Sequence, residues 1–218
     1  MKQRLWMLLV LLLGTIEGEA QLFDQYGVSL GATYATQDWD YKSSLYVPSI
    51  DYHLGMAAFL FAEKKLNKTF RLRPEIGYIQ KGFVDNHEFV SGGPVVEVID
   101  KNVVFHDLQL NLGLKLTPFA TKLMPYGVLG IFGDYMLAYD DAVIREGKDG
   151  PEFDMYSSQI DDFKKSNFGG FVGLGLEFDE KLFCELTYSP ALTNRFKDQG
   201  LQVKDHSFEL KLGLKLAR

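Results

Sequence analysis

The chain has 218 residues, a formal net charge of −6 and one cysteine, Cys184. This length corresponds to one domain, and a single cysteine excludes an internal disulfide framework. Binding to nucleic acid phosphates requires clustered lysine and arginine with a positive balance, so the acidic charge argues against a nucleic-acid partner.

The first twenty residues have the pattern of a secretory signal peptide. Lys2 and Arg4 form the charged start, residues 5–13 are apolar, and Gly18-Glu19-Ala20 is a small-x-small cleavage site. The apolar stretch is well short of the roughly 20 residues that a membrane-spanning helix needs, which makes an amino-terminal anchor the weaker interpretation. We expect residues 1–20 to be removed and residues 21–218 to form one domain.

Apolar residues alternate with polar residues or glycine along eight segments of the chain. On a helix such residues would scatter around the cylinder, whereas on a strand they line one face. The alternation is strict in the fourth and eighth segments and weaker in the others. In chain order the eight predicted strands cover residues 26–34, 52–60, 72–78, 108–116, 126–135, 168–178, 182–188 and 208–216.

The connections between these segments alternate in length. Long, polar segments cover residues 36–50, 84–102, 138–166 and 190–205, and short ones cover residues 63–69, 117–124 and 179–181. Outer-membrane barrels combine short periplasmic turns with long external loops, and a chain without membrane-spanning helices can cross a bilayer only as a closed barrel. The sequence therefore predicts an all-β fold, an eight-stranded antiparallel up-and-down transmembrane β-barrel with both ends in the periplasm.

Alternation alone does not decide whether the apolar face contacts lipid or a core, so a soluble lipocalin-like barrel is the alternative. Two further patterns favour lipid. Glycines fill the polar face, as a crowded narrow lumen requires, at Gly27, Gly31, Gly55, Gly77, Gly113, Gly169, Gly173, Gly175 and Gly213. Aromatic residues lie near the ends of the apolar stripes, as in interfacial girdles, at Tyr26, Tyr34, Tyr52, Tyr78, Phe168, Phe178, Tyr188 and Phe208.

With the apolar face toward lipid, charged residues of both signs point inward or lie at the rims. The interior of an eight-stranded barrel is about wide enough to be filled by side chains, so these charges should pair in a closed polar core. A narrow diffusion pore is the alternative. The predicted structural charge network of the lumen comprises Arg73, Glu75, Asp107, Lys115, Glu177, Glu185, Glu209 and Lys211, with Arg71, Lys81 and Lys215 inward or at the rims.

Of the four histidines, His53, His87, His106 and His206, all but His87 lie close to an acidic residue at an external strand end. Such pairs occur at the catalytic rim of barrel hydrolases, which makes a hydrolase an alternative. Parity argues against it: His106 and His206 share the phase of the outward leucines, whereas the adjacent Asp107 and Asp205 share the inward phase. We expect no catalytic residue, no metal ligand and no cofactor.

Within the third long connection, residues 140–166 include eight acidic and four basic residues. Acidic loop oxygens could share divalent cations with lipopolysaccharide, but no spacing resembles a calcium-binding loop. We interpret this charge as solvated and flexible.

Four stretches resemble the outer-membrane β-barrel proteins of Bacteroidota, the "porin family" that includes the PorT-like proteins. They are residues 73–82 (RPEIGYIQKG), 125–133 (PYGVLGIFG), 167–177 (NFGGFVGLGLE) and 186–194 (LTYSPALTN). The resemblance implies a small barrel of the OmpA/OmpX type in the outer membrane of a Gram-negative bacterium, and it implies no single activity.

The leading hypothesis is a non-enzymatic barrel with a closed polar lumen and acidic external loops that serves envelope integrity or contact with a partner. The PorT-like resemblance suggests an accessory of a secretion or surface-assembly system instead. Expected partners are outer-membrane lipid and lipopolysaccharide, the barrel-assembly machinery, and an envelope or secretion protein.

Overall fold

The computed structural model describes residues 22–41, 49–86, 96–118, 122–147, 150–197 and 200–217. The predicted signal peptide and His87 lie outside these residues. No helix in the described ranges is long and apolar enough to span a bilayer.

Eleven strands and one short helix make up the described structure. In chain order they are β1 (Gln25–Tyr41), β2 (Ile50–Lys65), β3 (Phe70–Asp85), β4 (Val96–Asp100), β5 (Asn102–Leu116), β6 (Leu123–Asp140), β7 (Val143–Glu146), β8 (Glu152–Asp154), α1 (Ser157–Asp161), β9 (Ser166–Phe178), β10 (Leu182–Pro190) and β11 (Leu201–Ala217).

Eight of these strands form a closed antiparallel barrel in the order β1-β11-β10-β9-β6-β5-β3-β2, as the sequence predicts. The stagger of the barrel is obtained by moving from each residue to its paired residue on the next strand, once around the wall. Starting at Gly27 on β1, this path passes Phe61, Asn111 and Gly169 and returns to β1 at Gln37. This stagger of ten residues tilts the strands against the barrel axis, which is the geometry that closure of a small barrel requires.

The outer surface of the wall is apolar, as the prediction of a lipid-facing stripe requires. Leu30, Leu112, Leu174 and Leu212 are exposed in the absence of lipid, Leu174 by 74 %. A continuous apolar band of this kind on a closed barrel is what a bilayer covers.

Aromatic side chains bound this band at two levels. On the outer side Tyr34 stacks on Tyr52 with ring centroids 4.4 Å apart, and Tyr188 lies 4.9 Å from Phe208. The pairing places Tyr34, Phe208 and Tyr188 side by side on neighbouring strands. At the other end, eight residues along β1 from Tyr34, lies Tyr26. The chain ends and the short connections lie at this end, which we call periplasmic because outer-membrane barrels have their short turns on that side. Tilted strands of this length span the apolar core of an outer membrane.

The strands extend further outward than the alternation predicts. Residues 36–50 were expected to form a long loop, but β1 continues to Tyr41 and β2 begins at Ile50. The extra residues remain in strands because their inward side chains become apolar and pack together above the membrane. The buried aromatic cap formed by this packing contains Trp39, Phe83, Val103, Phe105, Met136, Tyr156, Ile160, Phe163, Leu201 and Val203. The prediction that residues 36–41 belong to a loop is therefore wrong.

The third long connection is folded rather than a solvated loop over its described residues. β7 pairs with β4 and β8 in a small sheet outside the barrel, and α1 places Ile160 inside the aromatic cap. Asp141 accepts hydrogen bonds from the backbone N–H of Tyr156 at 3.0 and 3.1 Å. Burial raises the pKa of the Asp141 carboxyl, whereas these hydrogen bonds act in the opposite direction.

Inward glycines make room for aromatic rings from neighbouring strands. A Cβ atom added at Gly213 would lie 2.1 Å from the ring of Phe183, and one at Gly175 would lie 2.2 Å from the ring of Tyr126. Similar contacts join Gly27 to Phe61 and Gly169 to Phe132. The glycines of the inner face therefore serve packing, because each ring covers the backbone that its glycine leaves bare.

Candidate functional site: the charged lumen and its lid

Three clusters of paired charges fill the barrel below the aromatic cap. The periplasmic cluster consists of Glu63, Arg71, Lys115, Glu177 and Lys215. Lys215 Nζ lies 2.7 Å from Glu177 and 2.9 Å from Glu63, while Lys115 bonds the same two carboxylates. Arg71 Nη1 lies 3.3 Å from Glu63. Three cations thus share two carboxylates at this level of the lumen.

The central cluster consists of Arg73, Glu75, Glu185, Glu209 and Lys211. Arg73 Nη2 lies 2.6 Å from Glu185, and its Nε lies 2.9 Å from Glu75. Lys211 Nζ contacts Glu185 at 3.2 Å, Glu75 at 3.4 Å and Glu209 at 3.8 Å. All five side chains are buried, so their charges are stabilised by each other rather than by bulk water.

Neutral polar groups complete the central cluster. Tyr126 donates its hydroxyl hydrogen bond to Glu185 at 2.9 Å, Asn111 donates to Glu75 at 2.8 Å, and Ser189 donates to Glu209 at 3.0 Å. Lys115 of the periplasmic cluster lies 4.0 Å from the centroid of the Tyr126 ring. Hydrogen bonds and cation–π contacts offset part of the cost of burying these charges.

The outer cluster consists of Lys81, Asp107, Asp134, Arg195 and Asp205. Lys81 Nζ lies 2.7 Å from Asp134, and Arg195 bridges Asp205 at 2.6 Å and Asp107 at 3.2 Å. Arg195 is fully buried, with its guanidinium 4.5 Å from the ring centroid of Phe105. The outer cluster therefore joins the charged lumen to the aromatic cap above it.

Two outer segments meet over the barrel mouth and form a lid, which we define as residues 157–165 and 193–197. Phe163 and Phe196 form an isolated β-bridge, and the backbone N–H of Lys164 donates to the carbonyl of Arg195 at 2.7 Å. The backbone N–H of Lys197 donates to the carbonyl of Asp162 at 3.0 Å. Phe163 points down into the cap and Arg195 into the outer cluster, so both segments are anchored inside the barrel.

The structure places all eight residues of the predicted charge network in these clusters. Lys115 and Glu177 lie in the periplasmic cluster, Asp107 lies in the outer cluster, and the other five form the central cluster. Arg71, Lys81 and Lys215, expected inward or at the rims, are buried as well.

The predicted network lacked four members, of which only Asp205 had been placed on the inward face by parity. The sequence pattern places Glu63 in a short connection and Arg195 in a long polar one, and Asp134 lies in the strand with weak alternation. Glu63 and Asp134 could have been found by extending the inward phase of Phe61 and Phe132 by two residues. Arg195 carries no such signal, because it reaches the lumen from a segment outside the strands.

The charges of the lumen nearly cancel over its length. The periplasmic cluster has one cation more than carboxylates, and the central and outer clusters each have one carboxylate more than cations. A permeating ion of either sign would have to displace bound partners in at least one cluster, which disfavours conduction.

The three histidines of the described ranges, His53, His106 and His206, lie outside this network. His106 and His206 point outward and Asp107 and Asp205 inward, as parity predicts. His106 Nε2 lies 2.9 Å from Asp140, with Tyr78 hydrogen-bonded to its Nδ1, and His206 Nδ1 lies 3.5 Å from Asp38.

These are contacts at the rim of the membrane rather than a nucleophile and base in a cavity. Within the described ranges, no group of three or more potential ligands could hold a metal ion.

Comparison with known proteins agrees with the barrel and its lipid-facing band. Residues 20–197 match the family described as outer membrane protein beta-barrel domain. The chain belongs to this family. The protein is therefore an outer-membrane β-barrel of a Gram-negative bacterium. Its sequence gives no match among curated proteins.

Several solved structures with similarity to this chain are outer-membrane proteins. OprG from Pseudomonas aeruginosa has a TM-score of 0.47 and 12 % identity, covering 90 % of this chain and 98 % of its own. Neisserial surface protein A has a TM-score of 0.42 and 12 % identity over 88 % and 97 % of the two chains. Ail of Yersinia pestis has a TM-score of 0.41 and 12 % identity over 89 % and 100 %.

Proposed function

We propose that this protein is a sealed, non-enzymatic barrel that carries a folded platform at the cell surface and serves envelope integrity or contact with a partner there. The observation that supports this proposal is the pairing of buried charges through all three clusters, closed on the outside by the lid. Paired side chains in a lumen this narrow occupy the space that a substrate would need. Arg195 anchors one half of the lid in the outer cluster, and Phe163 anchors the other half in the aromatic cap.

The platform that a partner would contact is the small sheet of β4, β7 and β8. Ile99 and Phe153 are exposed on it by 43 % and 48 %, and Arg145 pairs with Glu97 and Glu152. Apolar side chains surrounded by charges are typical of protein contact surfaces. The proposed partner is an envelope or secretion protein that meets this sheet.

Residues 1–20 would direct export in this proposal, with cleavage after Ala20. The barrel-assembly machinery would insert the mature chain. The resemblance to PorT-like proteins of Bacteroidota supports a role in a secretion or surface-assembly system as the more specific version of partner contact.

A deletion strain complemented by three proteins in parallel tests the proposal. These are the wild type, the double variant Ile99→Ser with Phe153→Ser, and the control variant Leu192→Ser. Leu192 is 72 % exposed but lies outside the sheet. Loss of detergent resistance or of surface-protein secretion in the double variant alone would support partner contact through the platform. Full complementation by the double variant would overturn it.

A further inference from the structure

The barrel wall has a notch at its outer rim beside the lid. β6 continues to Asp140, whereas β9 begins at Ser166, which pairs with Tyr135. The backbone N–H of Met136 still donates to the carbonyl of Lys165 at 2.8 Å. Beyond that bond, no backbone hydrogen bond among the described residues joins the end of β6 to the β9 side, so the wall there is open.

A cleft of about 620 Å³ occupies this notch. Its floor is apolar and consists of Met136, Ile160 and Phe163 from the aromatic cap. Leu137 lines the cleft and is 59 % exposed on the lipid-facing side of β6, two residues beyond Tyr135. The cleft is therefore continuous with the surface that the membrane covers, just outside the outer aromatic level.

The rim of the cleft carries a net positive charge, because two lysines outnumber the one carboxylate in its lining, Asp161. Lys165 and Lys197 line it and are exposed, and Lys197 Nζ donates to the backbone carbonyl of Asp161 at 2.7 Å. The ion pairs among the described residues include neither lysine, and an ammonium group has three N–H donors, so Lys197 keeps donors for an anion beside its bond to Asp161. Lys164 lies next to them on the lid.

We propose that this cleft binds a phosphorylated glycolipid of the outer leaflet. An acyl chain would lie against Leu137 and the apolar floor, and a phosphate would bind between Lys165 and Lys197. The occupant follows from position and charge: the cleft opens from the membrane-facing surface at headgroup height, and its rim carries the charge opposite to that of a lipid phosphate. The bound lipid would fasten the lid to the membrane.

Native mass spectrometry of the detergent-folded, full-length barrel titrated with bisphosphorylated lipid A tests this site. Each lysine near a charged lipid surface contributes about fivefold in affinity, so Lys165→Gln with Lys197→Gln should weaken binding about thirtyfold. The control Lys101→Gln with Lys204→Gln removes the same charge away from the cleft and should leave binding unchanged. Dephosphorylated lipid A should bind the wild type and the cleft variant equally weakly.

Ala138→Trp provides a second variant, because it fills the cleft and keeps both lysines. It should abolish retention of lipid A while the barrel keeps its heat-modifiable migration. The proposal is overturned if the cleft variant binds lipid A as tightly as wild type, if dephosphorylated lipid A binds as tightly as the phosphorylated form, or if the lysine-dependent species is a dimer without lipid.

Discussion

Arg195 and Asp107 are 88 residues apart in the chain, yet Arg195 Nη2 lies 3.2 Å from the Asp107 carboxylate deep in the barrel mouth. Asp107 comes from the barrel wall, and Arg195 descends from the lid. The same guanidinium lies 2.6 Å from Asp205 on another strand. One side chain therefore fastens the lid to two sides of the wall.

Removing this guanidinium should destabilise the protein strongly. Arg195→Met keeps much of the side-chain volume but leaves Asp107 and Asp205 buried without their cation. Because an unpaired buried charge is costly, we expect the free energy of unfolding to fall by about 3 to 5 kcal/mol. Urea unfolding in detergent micelles, followed by tryptophan fluorescence of Trp39 in the cap, measures the change in free energy of unfolding.

Arg145→Met is the matched control, because Arg145 pairs with Glu152 on the outer sheet, where both side chains are solvated. Its cost should stay below about 1 kcal/mol. Equal losses for the two variants would show that Arg195 does not fasten the lid.

The barrel and most of its charge network could be predicted from sequence because a strand gives each residue a face by parity alone. That rule places Arg73, Glu185 and Lys211 on one side of the wall and Leu112 and Leu212 on the other. Because the lumen is narrow, the inward charged side chains of opposite strands lie close enough to form ion pairs.

The lid and cap could not be predicted in this way. Above the membrane both faces of a strand can be covered by protein. The alternation of apolar and polar residues there no longer indicates which face contacts lipid. Phe163 and Arg195 reach the barrel interior through contacts between two distant segments, for which the periodicity of either segment contains no information.

The sealed lumen predicts negligible ion conductance in planar bilayers. Arg73→Ala with Glu185→Ala removes two long paired side chains from the central cluster without changing net charge, and it should raise conductance by opening space there. Arg145→Ala with Glu152→Ala removes an exposed ion pair and should leave the conductance negligible. Reproducible channels from pure wild-type protein would contradict the seal.

Aromatic rings pack against the inward glycines, so adding a methyl group at such a glycine should lower the stability of the barrel. Gly213→Ala would place its Cβ 2.1 Å from the Phe183 ring, whereas Gly127 has its nearest neighbour at 4.0 Å. Gly213→Ala should therefore destabilise the barrel by about 1 to 3 kcal/mol through overpacking, and Gly127→Ala should have little effect. The midpoint of heat modification on gels compares the two, and equal midpoints would exclude the packing role of Gly213.

Substitutions at single residues can test which surface of the barrel wall contacts lipid. Leu112 and Leu212 are exposed on the outer surface, and their chain neighbours Asn111 and Lys211 are buried in the lumen. Leu112→Arg or Leu212→Arg should cost about 2 to 4 kcal/mol in a bilayer, because each would place a cation against acyl chains. A soluble barrel with the same residues in its core would also suffer from these changes, so stability alone does not identify the lipid face.

Fluorescence quenching identifies it directly. Single cysteines introduced as Leu112→Cys, Leu212→Cys, Asn111→Cys and Lys211→Cys, each in a Cys184→Ser background, carry a fluorophore in bilayers that contain spin labels on the lipid tails. Labels at 112 and 212 should be quenched, because the odd and even positions of a strand lie on opposite sides of the wall. Labels at 111 and 211 should be protected by the barrel. Equal quenching at both pairs, or at neither, would mean that the apolar face does not contact lipid.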